Sequence, residues 1–176
     1  MRTKYLIILT CLLIISCKKE GRVVDGDFEP PAPYFWEAYD DESVEGVDAD
    51  NDGLRDDIER KINELVDTPN RRKAFKQYFK TLYEALKYAT QLGGMSKSKQ
   101  RYRDASYDHS CLSYFYEFRG KDWDSFNQIE DDIKDLFKNS KVREENYKKY
   151  DKNLSGDVYT VHPDSIKNCR FEITNN

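Results

Sequence analysis

Between Asp56 and Leu92 the apolar residues recur at the spacing of a helix, break once at a turn, and stop at a glycine pair. Ile58, Ile62, Leu65 and Val66 mark one helical face. Phe75, Tyr78, Phe79, Leu82, Leu86 and Ala89 mark another. Between them Asp67-Thr68-Pro69 ends the first helix and starts the second, with Thr68 at the cap and Pro69 at the first helical position. Gly93-Gly94 stops the second helix near Leu92. This short helix-turn-helix from Asp56 to Leu92 is the most definite architectural element of the sequence and points to an all-α fold.

Three further helices extend the pattern. One begins near Ser96 or Ser98 and carries Tyr102, Ala105, Cys111, Leu112, Phe115 and Phe118 before Gly120; its end, Ser110 to Phe118, reads equally as a strand because aromatic density blurs the period. A fourth uses Trp123, Phe126, Ile129, Ile133, Leu136 and Phe137, with its boundary at Asn139 or Ser140. A fifth, weakly amphipathic, runs from about Lys141 to Asn153. Beyond it Asp157–His162 and Cys169–Ile173 have strand character, so the expected fold is a small bundle of four to five helices with a short extended or β-like C-terminal tail. The 176 residues suffice for one domain. Thirteen tyrosines supply much of its apolar mass, either as core or as an interaction face.

The N-terminal residues stand outside that fold. Arg2 and Lys4 precede the apolar run Tyr5–Ile15, which is shorter than the roughly 20 residues a membrane-spanning helix needs. This reads as a secretory signal, and Ile14-Ile15-Ser16-Cys17 resembles the lipobox of bacterial lipoproteins. The resemblance implies cleavage after residue 16, lipid on Cys17 including a palmitate-type acyl chain, and a stable membrane anchor. An ordinary signal peptide cut elsewhere is the alternative. Lys18 follows the cysteine where an inner-membrane lipoprotein would carry aspartate, so the resemblance favours the outer membrane, on either face. Residues 17–34 form the tether, stiffened by Pro30-Pro31-Ala32-Pro33, and residues 35–176 the domain, onto which Phe35, Trp36 and Tyr39 could pack.

Losing Arg2 and Lys4 with residues 1–16 leaves 27 basic against 33 acidic residues, a net charge of −6. That charge excludes a nucleic-acid partner, which requires a basic field. Of four cysteines, Cys11 leaves with the signal and Cys17 takes lipid; Cys111 and Cys169 remain to form a disulfide in an oxidising compartment, or persist as two buried thiols.

The stretch Asp48-Ala-Asp-Asn-Asp-Gly-Leu-Arg-Asp-Asp-Ile-Glu59 sets six acidic side chains in twelve residues immediately before the helical pattern. It matches the calcium-loop template D-x-[DN]-x-[DN]-G-x5-E at every position. Asp48, Asp50 and Asp52 occupy positions 1, 3 and 5, Gly53 the turn, the Leu54 carbonyl position 7, Asp56 position 9 and Glu59 position 12. Calcium (Ca2+) takes six to eight hard oxygen ligands at about 2.4 Å, and magnesium is less suited because it demands octahedral geometry. The loop resembles an EF-hand but departs from it: only one loop is present, Gly46 and scattered acids replace the incoming helix, and position 8 holds Arg55 instead of an aliphatic residue. The apolar residue at position 7 is similar to the calcium loops of thrombospondin type 3 repeats and related envelope proteins, which implies a structural staple. Asp57 and Arg55 are not assigned as ligands; Arg55 is expected to cover the acidic cluster or pair with a neighbouring helix.

These features lead to an expected lipid-anchored cell-envelope protein with a structural calcium loop, serving as a protein-interaction module for a partner the sequence does not name. An immunity or inhibitor lipoprotein neutralising an envelope-directed toxin or hydrolase is the alternative. No enzyme is expected: His109 and His162 lack a recognisable nucleophile or metal-ligand pattern, and no G-x-S-x-G elbow or phosphate-binding glycine loop occurs.

Overall fold

The computed structural model describes residues 43–117, 123–156 and 162–174. Among these, five helices carry the architecture: α1 (Asp56–Leu65), α2 (Pro69–Thr90), α3 (Met95–Glu117), α4 (Trp123–Asp135) and α5 (Lys141–Leu154). A 3-10 turn at Leu136–Lys138 extends α4, and another lies at Ile166–Asn168. The all-α bundle read from periodicity is the fold.

Helix α2 is the axis. It packs most extensively on α3 and also touches α1 and α5. Its buried face carries Phe75, Tyr78, Phe79, Leu82, Tyr83 and Leu86. Phe75 meets Tyr116 edge-on, with ring centroids 6.1 Å apart, and Phe126 at 6.0 Å; Phe79 meets Phe137 at 5.9 Å. Burying each such ring stabilises the fold by about 1.5–3 kcal/mol relative to leaving it in water. Tyr78, Tyr83, Tyr116 and Tyr150 are all buried, so these tyrosines are core residues.

The boundaries differ from the sequence reading in informative ways. Pro69 opens α2 as expected, and Thr68 occupies the cap with extended backbone angles, yet its side chain makes no capping hydrogen bond. Helix α2 ends at Thr90, two residues before the expected Leu92, because Gln91 turns extended (φ −86°, ψ 146°). Leu92 thereby lies beyond the helix and stands fully in solvent. Of the ambiguous stretch Ser110–Phe118, residues 110–117 are helical and Phe118 lies outside the described residues: the helix buries Cys111, Leu112, Phe115 and Tyr116, and every-third-or-fourth spacing decided what aromatic content could not.

Cys111 and Cys169 are joined as a disulfide, with sulfurs 2.05 Å apart. The tail it fastens forms no strand among its described residues. Side-chain amides of α2 stand where a partner strand would be. Asn70 Nδ2 donates to the Thr174 carbonyl at 2.8 Å and Asn70 Oδ1 accepts from Thr174 N at 3.0 Å. Gln77 Nε2 donates to the Asn168 carbonyl at 2.8 Å, and Gln77 Oε1 accepts from Arg170 N at 2.7 Å. A lone extended segment satisfied by side chains has no need of a sheet, which is why the β character of Cys169–Ile173 gave no β-structure. Most of the other expected strand, Asp157–His162, lies outside the described residues, as do the signal segment, Cys17, the tether, Phe35, Trp36 and Tyr39.

Candidate metal centre

The acidic loop is built by its own aspartates. Asp48 accepts from the backbone N–H groups of Asp52 at 3.1 Å and Gly53 at 2.9 Å; Asp50 accepts from Asp52 N at 3.2 Å, and Asp52 from Leu54 N at 2.7 Å. Each short side chain folds back on the backbone ahead of it, which coils the loop and turns alternate residues inward. The reversal needs left-handed backbone at two places. Asn51 has φ +59° and Gly53 φ +92°, the latter a conformation that a side chain would strain.

Two further ties fix the loop to the bundle. Asp56, buried at the start of α1, accepts from Ala49 N at 3.0 Å while its own N–H donates to the Val47 carbonyl at 2.9 Å. Leu54, the expected backbone ligand at position 7, buries its side chain completely in the core and anchors the loop's midpoint.

The carboxylates converge. Ligand atoms of Asp48, Asp50 and Asp56 lie within 4.8 Å of one another, and so do those of Asp50, Asp52 and Glu59. The two groups share Asp50, so the five side chains named from the sequence form one continuous oxygen-rich surface. Hard, anionic oxygen donors on a tight turn suit a divalent cation of calcium's size and flexible coordination. Glu59 is only 2% exposed, and burial pushes its carboxyl above the ordinary range despite a hydrogen bond from Lys76; burial likewise pushes Asp48 up. Both groups resist ionisation where they stand, and a bound cation would relieve that resistance.

Two lysines from α2 reach into this surface without any signal in the loop motif. Lys76 Nζ lies 2.7 Å from Glu59 Oε1, and Lys80 donates to the Asp52 carbonyl. They sit four residues apart and therefore on one face of α2. Nothing marks them out among the chain's many lysines until α1 and α2 are folded together.

Arg55 pairs with neighbours instead of covering the carboxylates. It is buried to 1% exposure, its Nε donates to Asp57 Oδ1 at 2.9 Å, and its Nη2 donates to the Leu136 carbonyl at 3.2 Å and also pairs with Asp57 Oδ2. The charged residue at loop position 8 thus clamps the start of α1 to the end of α4. Arg143 adds a second clamp, donating from Nε to the Ser43 carbonyl at 2.9 Å and from Nη1 to Asn139 Oδ1 at 2.8 Å.

The histidines lie in ordinary packing environments. His109 contacts the rings of Tyr78 and Phe126 edge-on and its Nδ1 is 3.2 Å from Ser113 Oγ; burial lowers its pKa. His162 stacks on Tyr107 with centroids 3.7 Å apart. A polar cluster absent from the sequence reading sits beside the disulfide: Asp108, 3% exposed, accepts from Gln77 Nε2 at 2.6 Å and from Arg170 Nη2 at 2.5 Å. Its members come from α2, α3 and the tail, separations that no local motif connects.

Comparison with known proteins gives no match: no family model, no curated protein and no solved structure matches the chain.

Proposed function

We propose that this chain is a lipid-anchored cell-envelope protein, attached through Cys17, in which Asp48, Asp50, Asp52, the Leu54 carbonyl, Asp56 and Glu59 hold one structural calcium ion. The helical body behind the loop serves as a protein-interaction module and not as an enzyme. The observation that carries the reading is two groups of three carboxylates, sharing Asp50, around a glycine turn, in a loop that also matches the twelve-residue calcium template. The Lys76 and Lys80 contacts fit a staple: the loop keeps hold of α2 while the ion holds the loop's own ligands together. Extracellular-type calcium sites have dissociation constants of about 10⁻⁴–10⁻³ M, so such a site fills outside the cytoplasm and not within it.

Thermal melting tests the metal. Calcium at saturating concentration should raise the Tm of chelator-treated protein by several degrees, since about 1–3 kcal/mol of linkage is available at such affinities. Magnesium at equal concentration should give a smaller rise. Identical melting curves in calcium and in chelator would overturn the proposal. Mass spectrometry of protein from bacterial membranes tests the anchor, with a lipid-modified N-terminus at Cys17 expected and an unmodified or uncleaved N-terminus contradicting it.

A further inference from the structure

The turn between α2 and α3 lies in a basic segment, within which Arg101 pairs with the flanking Glu84 and Asp104. From Ala85 to Arg103 there are five basic residues, Lys87, Lys97, Lys99, Arg101 and Arg103, and no acidic one, although acids outnumber bases over the whole sequence. At the apex of this segment stand the two most exposed large apolar side chains among the described residues. Leu92 is 109% exposed and Met95 51%. A cleft of about 560 Å3 opens beside them, and its only charged lining residue is Lys149 of α5. The nearby Lys97 places its ammonium 5.4 Å from the Tyr88 ring centroid.

We infer that this tip is a peripheral contact with an anionic lipid surface. An apolar apex backed by lysines matches the boundary between headgroups and acyl chains: aliphatic side chains enter the boundary, while lysine stems lie along it and their ammonium groups meet phosphate. Leu92 borders this open cleft yet stands fully exposed, which favours a deformable bilayer over the enclosing pocket of a protein partner. The acidic loop contacts α2 through Lys80, ten residues before the helix ends at Thr90 and so about 15 Å from that end along the helix. That separation exceeds the screening length of about 8 Å at physiological salt, so the loop's negative charge does not cancel attraction at the tip. Among the described residues no helix is long and apolar enough to cross a membrane, which makes the contact superficial. The inference goes beyond the calcium reading and does not depend on the lipid at Cys17.

The test uses the full chain with a tryptophan reporter, Leu92→Trp, and a control, Val142→Trp, at an exposed site on α5. Each is mixed with vesicles of phosphatidylglycerol and phosphatidylcholine in equal parts carrying brominated acyl chains. Fluorescence is read as the change relative to the unsubstituted chain. The expected result is quenching at position 92 and not at position 142. Adding Lys97→Gln and Lys149→Gln should raise the lipid concentration for half-maximal quenching roughly fivefold per lysine removed, and phosphatidylcholine alone should quench poorly. A chain that sediments with vesicles through its anchor but shows no quenching at position 92 overturns the tip contact while leaving the anchor intact. Equal quenching at both positions also overturns it. Unchanged circular dichroism of each variant confirms that the reporters, both at exposed sites, report on a folded chain.

Discussion

Lys76 Nζ lies 2.7 Å from Glu59 Oε1, so the carboxylate that closes the calcium loop already has a cationic partner supplied by α2. Lys76 and a metal ion act on the same oxygens with the same sign of charge. Replacing Lys76 by methionine should therefore have two opposite effects. The metal-free chain should melt lower, by about 1–3 kcal/mol of lost stability, because Glu59 is left buried without its partner. Calcium affinity should rise roughly tenfold, because a positive charge beside the site is removed, a Coulombic effect of about 1–2 kcal/mol after screening. Melting in chelator and calorimetric titration with calcium measure the two; a fall in both stability and affinity would show that Lys76 only supports the loop's shape.

The raised carboxyls of Glu59 and Asp48 give a pH dependence of defined sign. Because burial lifts the folded pKa of Glu59 above its ordinary 4.5, the folded metal-free chain keeps a proton that the unfolded chain releases. This stabilisation is complete below pH 4.5 and is lost as pH rises through the raised value. Asp108, also raised by burial, acts in the same direction; His109, lowered by burial, acts oppositely and costs stability as pH falls through 6.5. The Glu59→Gln variant isolates the loop. In chelator its Tm relative to the parent should improve from pH 4.5 to 7, and in calcium at pH 7 the parent should be the more stable. Parallel pH profiles for the two proteins would contradict the origin assigned to the shift.

Arg55 is the clamp on which the loop's approach to the bundle depends. Truncating it to alanine removes the cationic partner of Asp57, leaving that carboxylate its bonds from Asn139 and Ile58 N, and takes the Arg55 donor from the Leu136 carbonyl, at a cost of about 3 kcal/mol. Gly46 allows the guanidinium stem to pass: a Cβ there would sit 2.7 Å from Arg55 Cδ, on a residue already at φ +60°. Gly46→Ala should cost about 1–3 kcal/mol through the same contact. Since both changes disturb one clamp, the double variant should be less destabilised than the sum of the singles, which denaturant unfolding of the three variants would reveal.

The sequence disclosed what local periodicity and a rigid template can carry. Ile58, Ile62, Phe75 and Phe79 repeat at helical spacing, so α1 and α2 were legible, and Asp48 to Glu59 matched a motif whose geometry is set within twelve residues. Contacts between distant residues were not legible. Arg55 meets Leu136 across 81 residues and Asp108 meets Arg170 across 62, and no pattern in either segment announces the other. Cys169–Ile173 carried strand composition without a strand partner, because amides on α2 meet its backbone. Leu92 was the expected end of α2, but the extended backbone of Gln91 ends the helix at Thr90 and Leu92 stands in solvent.

The tail depends on the disulfide and on Asn70 together. Closing a 58-residue separation between Cys111 and Cys169 contributes about 4 kcal/mol by restricting the unfolded chain. Reduction should lower the Tm accordingly. Asn70→Ala removes three hydrogen bonds to Thr174 and should cost about 1–3 kcal/mol. Hydrogen exchange should show loss of protection concentrated in residues 169–174 for Asn70→Ala in the oxidised chain. Protection unchanged there would contradict the bonding described for the tail.

Calorimetric titration of calcium into chelator-stripped protein tests the central claim most directly. One ion per chain should bind with measurable heat, and the heat should vanish in the Asp50→Asn, Glu59→Gln double variant, which retains a folded bundle by circular dichroism. Absence of heat in the parent chain, together with a Tm indifferent to calcium, would contradict a calcium site at Asp48–Glu59.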